Sequence, residues 1–592
     1  MFPTRRTRRT LATLVLCALL SACGGGGGGG GGEVTVAPPP PPVAVEKPAT
    51  RAEAARFLVQ ASFGPTDADI DRLMAAGYAA WIDEQLALPA HSHRAAWEAA
   101  DRDIKAVTPA SGAGTAQVFE SFWAQAVTGP DQLRGRVAYA LSQIFVISMA
   151  DGTVEDYPRA VADWLDMLGT QGLGSYRGLL QSVSLHPMMG IYLSHLRNQK
   201  PLARTGRVPD ENYAREVMQL FSIGLVELND DGSVRTADGQ PIATYTPADI
   251  TGLAHVFTGW SWDCPDWPDN SCFTNGSANG NSDPDRSFKA MRGYPQYHAT
   301  EAKTFLGTTV AVQSTADPTA SLQVALDRLA THPNVGPFIG RQLIQRLVTS
   351  NPSPAYVRAV AQAFADNGAG VRGDMKAVVK AVLMHPEARQ MTATSGKLRE
   401  PVLRLAAYLR AFPHRSDTGR WRVGNTENPA TSLGQAPLRS PSVFNFYRPG
   451  YVAPGSTTAA QGLVAPELQI THETSAAAWV NFMRDNIAQG VGASNGTVNG
   501  VALNRRDIRP DFSAELALAH DAAALVERVA GRLTYTAGAA LKAEIATAVG
   551  SIAIPALNTA GSNQAAIDTA RRNRVNAAIL LVLASPEFQV QQ

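Results

Sequence analysis

The sequence predicts a mainly α fold: a large multi-helix body with a small β-hairpin and a long, disulfide-closed irregular loop. Three observations predict it. Apolar residues recur at helical spacing through most of the chain. Capping signals stand at the head of such stripes. Runs with strand-like alternation are few. With 45% hydrophobic and 17% charged residues, the chain has the make-up of an ordinary globular core-former.

Ala55, Phe57, Leu58 and Ala61 open the first helix. Thr66-Asp67-Ala68-Asp69 is a capping box that leads into Ile70 and Leu73. Leu133 to Met149 carries an apolar face through Val137, Leu141, Ile144 and Phe145, which predicts one continuous helix. His186, His332 and His385 each precede a proline, a pairing that ends one helix and starts the next. Ala214, Val217, Met218, Phe221 and Leu225 form the stripe of a helix that begins near Asp210. Leu225 to Tyr245 holds the hairpin, with turns at Asn229-Asp230-Asp231-Gly232 and Ala237-Asp238-Gly239. Thr246-Pro247-Ala248-Asp249 is a second capping box, ahead of Ile250, Leu253, Ala254 and Phe257. Residues 260–297 are rich in Trp, Asp, Asn and Gly and form the irregular excursion; Cys264 and Cys272 are expected to pair and staple it.

The first 50 residues differ in kind. Arg5, Arg6, Arg8 and Arg9 precede the apolar run Leu11 to Leu20, and Leu20-Ser21-Ala22-Cys23 has the form of a lipoprotein cleavage site. The expectation is a signal peptide over 1–22, a lipid on Cys23, a Gly/Pro-rich flexible tether over 23–50, and a helical body over 51–592. The protein is then exported and lipid-anchored. Gly24 after the lipidated cysteine points to the outer membrane, facing the periplasm or the cell surface. The membrane is the first expected partner, through the Cys23 lipid.

Lys+Arg 52 against Asp+Glu 51 gives a net charge of +1, so no basic field recommends nucleic acid as a partner. No His-Glu-x-x-His pair, Gly-x-Ser-x-Gly elbow, P-loop or dinucleotide fingerprint stands in a fitting context. Neither a metal site nor a cofactor is predicted from these motifs.

Chemistry has two candidate locations. In Asp210 to Leu220, Glu211 can reach Arg215 at i+4. One reading is an amphipathic helix capped by Asp210, with a surface ion pair. The other places Glu211, Arg215 and Glu216 as catalytic groups, with Asn212 on the substrate. His298, with Glu301 and Lys303 close by, is either the supporting site histidine or a satisfied structural histidine. The second location is the excursion. Trp260 and Trp262 beside Asp263, Asp266 and Asp269 offer flat faces and oxygens to a polysaccharide; the same carboxylates are a calcium option. The bland alternative is that the tryptophans dock on the body.

The Asp210–Leu220 segment resembles the signature of the bacterial family called domain of unknown function 1800. The resemblance extends to Ser62-Phe63-Gly64-Pro65, His186-Pro187 and Phe257-Thr258-Gly259-Trp260. It continues through His298 with Lys303-Thr304-Phe305-Leu306-Gly307, Gly396-Lys397-Leu398-Arg399-Glu400-Pro401, and Leu433-Gly434-Gln435. Lys303 and Lys397, within two of these motifs, complete the substrate-binding candidates. Many members carry Glu and His where this chain has Gln219 and Phe221, so no catalytic role is assigned there. The resemblance implies an exported, largely helical protein that works beside a companion resembling the alkaline phosphatase and sulfatase superfamily. Two functions follow as expectations: a binding or assembly partner of such an exported protein, or a hydrolase acting on glycan or anionic envelope polymer.

Overall fold

In the computed structural model, which describes residues 46–592 except 393 and 499, 26 α-helices alternate with short connections. The strands described there are only two or three residues long and pair into seven two-stranded sheets. The fold is mainly α, as the periodicity predicts. The signal segment, Cys23 and most of the tether lie outside the described residues.

Local chemistry accounts for the helix starts. Thr66 accepts from Asp69 N and the Asp69 carboxylate accepts from Thr66 N, closing the capping box of Asp67–Ala76. Thr246 and Asp249 do the same for Pro247–Val256, with Pro247 at the first position. At the three His-Pro pairs the imidazole accepts from the backbone beyond the proline, and at His186 and His385 it is thereby the helix cap. Nδ1 of His186, His332 and His385 accepts from the backbone N–H two residues on, at 3.2, 3.2 and 3.3 Å. A proline cannot donate, so the cap reaches past it.

Two boundaries differ from the sequence reading. The helix expected over 133–149 ends at Ser142 (Gln132–Ser142). Phe145 N still bonds Leu141 O, but the chain then opens so that Met149 N can donate to Leu438 O. Ile144 and Phe145 remain buried in the turn, so the apolar face persists after the helix has stopped. Residues 46–50, assigned to the tether, already dock on the body: Lys47 Nζ donates to Ala75 O at 2.6 Å and Tyr78 N to Glu46 O at 3.1 Å.

The hairpin is small. Thr236–Ala237 pairs antiparallel with Gln240–Pro241 across Asp238 and Gly239, whose φ values of +52° and +77° suit a tight hairpin turn. Bridges Val226–Ala243 and Leu228–Val234 extend it toward the body.

One continuous apolar core fills the body and includes the buried rings of Trp81, Trp123 and Trp164. Within it Val335–Leu347 packs closely on Pro354–Ala365. A Cβ on Gly340 would lie 2.9 Å from Val360 Cγ1, so the missing side chain sets that spacing. A second, small cluster of Cys264, Cys272, Phe273, Ala278 and Tyr294 belongs to the excursion. Cys264 and Cys272 are disulfide-bonded.

Candidate functional site

The residues singled out in sequence fall into separate places. Asn212–Gln219 is a helix with Glu211 at its N-cap. Asp210 accepts from Asn212 N at 2.8 Å, so its side chain caps the turn. Asn212 and Arg215 are exposed, and Glu211 pairs with Arg215 at 3.7 Å while accepting from the Thr251 hydroxyl at 2.8 Å. That is the surface pair of the bland reading. Glu216 is buried, its Oε2 has no partner among the described residues, and burial pushes its carboxyl up against the pull of Arg215.

His298 is fully buried and holds the fold together. The carbonyl of Thr258 can only accept, so Nδ1 carries the proton and donates to it at 2.8 Å; Nε2 then faces Ser321 Oγ at 2.9 Å. Burial depresses this imidazole to about 4, which keeps it neutral. Among the described residues no hydrogen bond or ion pair joins it to Glu211, Arg215 or Glu216. Glu211 and Arg215 face solvent, and both nitrogens of His298 are engaged by Thr258 and Ser321.

Of the expected substrate-binding side chains Asn212 is exposed, and the other four are buried. Lys303 is 1% exposed, and burial lowers its ammonium. Trp260 and Trp262 dock on the body, with Trp260 Nε1 on Val256 O at 3.3 Å. Lys397 is paired internally with Glu467 at 2.9 Å. The three excursion carboxylates diverge: Asp263 meets Arg292, Asp266 takes the amides of Asn279 and Asn281, and Asp269 caps the Asn270–Asn275 helix. Among the described residues no group of three or more His, Cys, Asp or Glu is placed to hold a metal ion, so these positions do not form the calcium option.

A more open cleft lies elsewhere. A cleft of about 410 Å³ runs between the end of the Asn212–Gln219 helix, one face of Val335–Leu347, the base of the hairpin and the 443–450 loop. That is the size of a small-molecule pocket, roughly 300–1,000 Å³. Phe338, Arg341, Gln342 and Gln345 stand at i, i+3, i+4 and i+7 of one helix face and form one wall. Leu220, Leu225, Val226 and Phe444 supply apolar surface opposite. Gly224, at φ +72°, lets the chain press on the Phe338 ring: a Cβ there would lie 2.7 Å from Phe338 Cε2. The charged residues lining the cleft are Arg341, Arg346 and Arg448.

Behind this lining sits a buried polar network. Glu400 Oε2 accepts from Tyr139 Oη, Gln143 Nε2, Gln435 Nε2 and Tyr447 Oη at 3.1, 2.5, 2.6 and 3.1 Å. Gln143 also lines the cleft, and its backbone carbonyl accepts from Arg346 Nη2 at 2.8 Å. The carbonyl of Arg346 in turn accepts from Arg136 Nη2 at 2.5 Å and Lys397 Nζ at 2.9 Å. The network fixes the inner wall, because side chains bonded this often cannot change rotamer singly.

A family model described as "Protein of unknown function (DUF1800)" matches residues 56–590. The chain belongs to the DUF1800 family. No curated protein and no solved structure matches it. The DUF1800 segments recognisable in sequence have distinct structural duties here. Three of them contribute to the cleft and its backing: 210–220 supplies Gln219 and Leu220 to the lining, while 396–401 supplies Lys397 and Glu400 and 433–435 supplies Gln435 to the buried network behind it. Others lock the fold, as where Arg410 donates to Gly64 O and Thr258 Oγ1 accepts from Ala299 N. The cleft arginines were missed in sequence, although Val335–Leu347 carried a readable signal. Arg341, Gln342, Gln345 and Arg346 form a polar stripe opposite Ile339, Leu343 and Leu347.

Proposed function

We propose that this DUF1800 protein is an exported, lipid-anchored binding protein that assembles with another exported protein of the alkaline phosphatase and sulfatase type. The observation that carries the binding role is the lining of the cleft, which pairs apolar side chains with arginines and glutamines. These residues bind and orient; none is a carboxylate, histidine or thiol suited to proton transfer or nucleophilic attack near neutral pH. Anchoring rests on the Arg-rich start, the apolar run and Cys23. Among the described residues no helix is long and apolar enough to cross a membrane, and the lipid is the attachment proposed.

Crosslinking in intact cells, followed by capture of the tagged chain and mass spectrometry, tests the assembly. Stoichiometric recovery of a phosphatase-like or sulfatase-like exported protein is the expected result; recovery of the chain alone refutes it. Cys23→Ala should release the protein from membranes, and unchanged retention overturns the anchor.

One observation favours a second reading, a hydrolase acting on glycan or anionic envelope polymer. Glu216 is a buried carboxyl with a raised pKa, one helical turn before Gln219 and Leu220 at the cleft wall. If Glu216 is a general acid, Glu216→Gln abolishes turnover of such polymers.

A further inference from the structure

We propose that the cleft between the Asn212–Gln219 and Val335–Leu347 helices binds a small anionic amphiphile, a molecule with a carboxylate or phosphate head and an apolar tail. The proposal concerns the ligand of the cleft and does not depend on the identity of the protein partner.

The charge of the site comes first. Arg341 and Arg448 line the cleft with their side chains open to solvent, and neither forms an ion pair among the described residues. A guanidinium presents donors in a planar fork that fits a carboxylate or phosphate through two parallel bonds.

The inner wall adds donors that are nearly shut off from solvent and have no partner. Gln342 is 7% exposed with Nε2 unbonded, and Arg346 is 3% exposed with Nε unbonded. Both residues line the cleft, and a buried donor left without an acceptor costs on the order of 1–3 kcal/mol. The two guanidinium groups open to the cleft, Arg341 and Arg448, donate and have no acceptor of their own. An anion suits them; a cation does not.

The rest of the lining selects a tail. Leu225 and Val234 stand 58% and 45% exposed at the opening, and Val226, Leu228, Phe338 and Phe444 continue the apolar surface inward. An apolar surface left open to water beside unpaired cations is complementary to a molecule with both characters. A free anion leaves that surface wet, and a neutral hydrocarbon leaves the donors unmet.

The test is calorimetric titration of the full chain carrying Cys23→Ala, which removes the need for detergent around the proposed anchor. The probes are octanoate, octyl phosphate, octan-1-ol, octylammonium and inorganic phosphate. Octanoate or octyl phosphate should bind at least about tenfold tighter than octan-1-ol, as expected for charge-assisted bonds. Octylammonium and inorganic phosphate should bind more weakly still. Which of the two anionic heads binds tighter identifies the head as carboxylate or phosphate. The double variant Arg341→Gln/Arg448→Gln should lose about tenfold or more for the anionic probes and nothing for octan-1-ol. Leu225→Asn should weaken anionic and neutral probes alike. All three positions are exposed, and a thermal melt confirms that each variant is folded. Equal affinity for octan-1-ol and octanoate overturns the proposal. So does phosphate binding as tightly as octyl phosphate, or octanoate affinity unchanged in the double variant. No binding of either anionic probe, with a partner's peptide crosslinked in the cleft instead, overturns it while leaving the assembly reading intact.

Discussion

Lys397 Nζ stands 2.9 Å from Glu467 Oε1, and neither side chain meets solvent. The same ammonium donates to Arg346 O at 2.9 Å, which ties the ion pair to the helix that forms the cleft wall. Burial pushes the Glu467 carboxyl up while Lys397 pulls it back, so each member is tolerated only because of the other. Removing one partner of a buried pair leaves an uncompensated charge, and this typically costs about 3–5 kcal/mol. Lys397→Met should lower stability by that amount in urea unfolding, whereas Lys397→Met/Glu467→Leu should recover most of the loss. A single variant within about 1 kcal/mol of the parent would show that the charge finds water instead.

Stability should fall on acidification. Burial holds His195, His298, His332 and His414 near about 4, and His93 near about 3, against an ordinary value of 6.5. Below 6.5 the unfolded chain takes up protons that these folded imidazoles refuse, so stability is lost as pH drops from 6.5 toward 4. Burial also lifts Glu120 to about 7 and Asp166 to about 6. These two have the opposite sign, since the folded carboxyls protonate first and gain stability as pH falls toward their unfolded values. Five imidazoles outweigh two carboxyls. The melting temperature should be lower at pH 5 than at pH 7.5, and Glu120→Gln should raise it at pH 8 with little effect at pH 4.

His298→Phe should cost about 1–3 kcal/mol, because it leaves the Thr258 carbonyl and the Ser321 hydroxyl without their imidazole partner in a closed site. The loss should be of the same size at pH 7 and 8, where the parent imidazole is already neutral. Partner capture and amphiphile binding should be unchanged, since His298 does not line the cleft. Loss of either in a folded variant would return His298 to the functional site.

What could be read in sequence was local. The boxes at Thr66 and Thr246 and the prolines after His186 and His385 were legible because a cap and its helix lie within four residues of each other. The cleft was not legible in the same way. Its walls come from residues 143, 219, 338 and 444, brought together only by tertiary packing. Polarity within Asp210–Leu220 drew attention to Glu211 and Arg215, yet helix periodicity cannot tell a solvated face from a pocket. The part of that helix that reaches the cleft is its less conspicuous end, Gln219 and Leu220. Glu400 stood out in a motif, but its four donors are scattered from Tyr139 to Tyr447, and no spacing rule connects them. Phe145 shows the converse case: its apolar period holds although the helix stops at Ser142, and the chain beyond it runs to a tertiary bond from Met149 to Leu438.

The excursion should respond to reduction independently of the body. Its small cluster, Cys264, Cys272, Phe273, Ala278 and Tyr294, is distinct from the main core. The disulfide spans a sequence separation of 8, and closing so short a loop restricts the unfolded segment by roughly 2.5 kcal/mol. Other ties remain without it: Trp267 Nε1 donates to Gly293 O at 2.9 Å and Tyr294 Oη to Trp262 O at 2.8 Å. Cys264→Ala/Cys272→Ala should therefore open residues 264–297 locally, and limited proteolysis should cut there sooner than in the parent. The main thermal transition should keep its midpoint, because the apolar contacts that set it lie in the other cluster. If that midpoint drops together with the onset of cleavage, the excursion and the body unfold as one unit, and Trp260 and Trp262 then couple the two clusters more tightly than their separate cores imply.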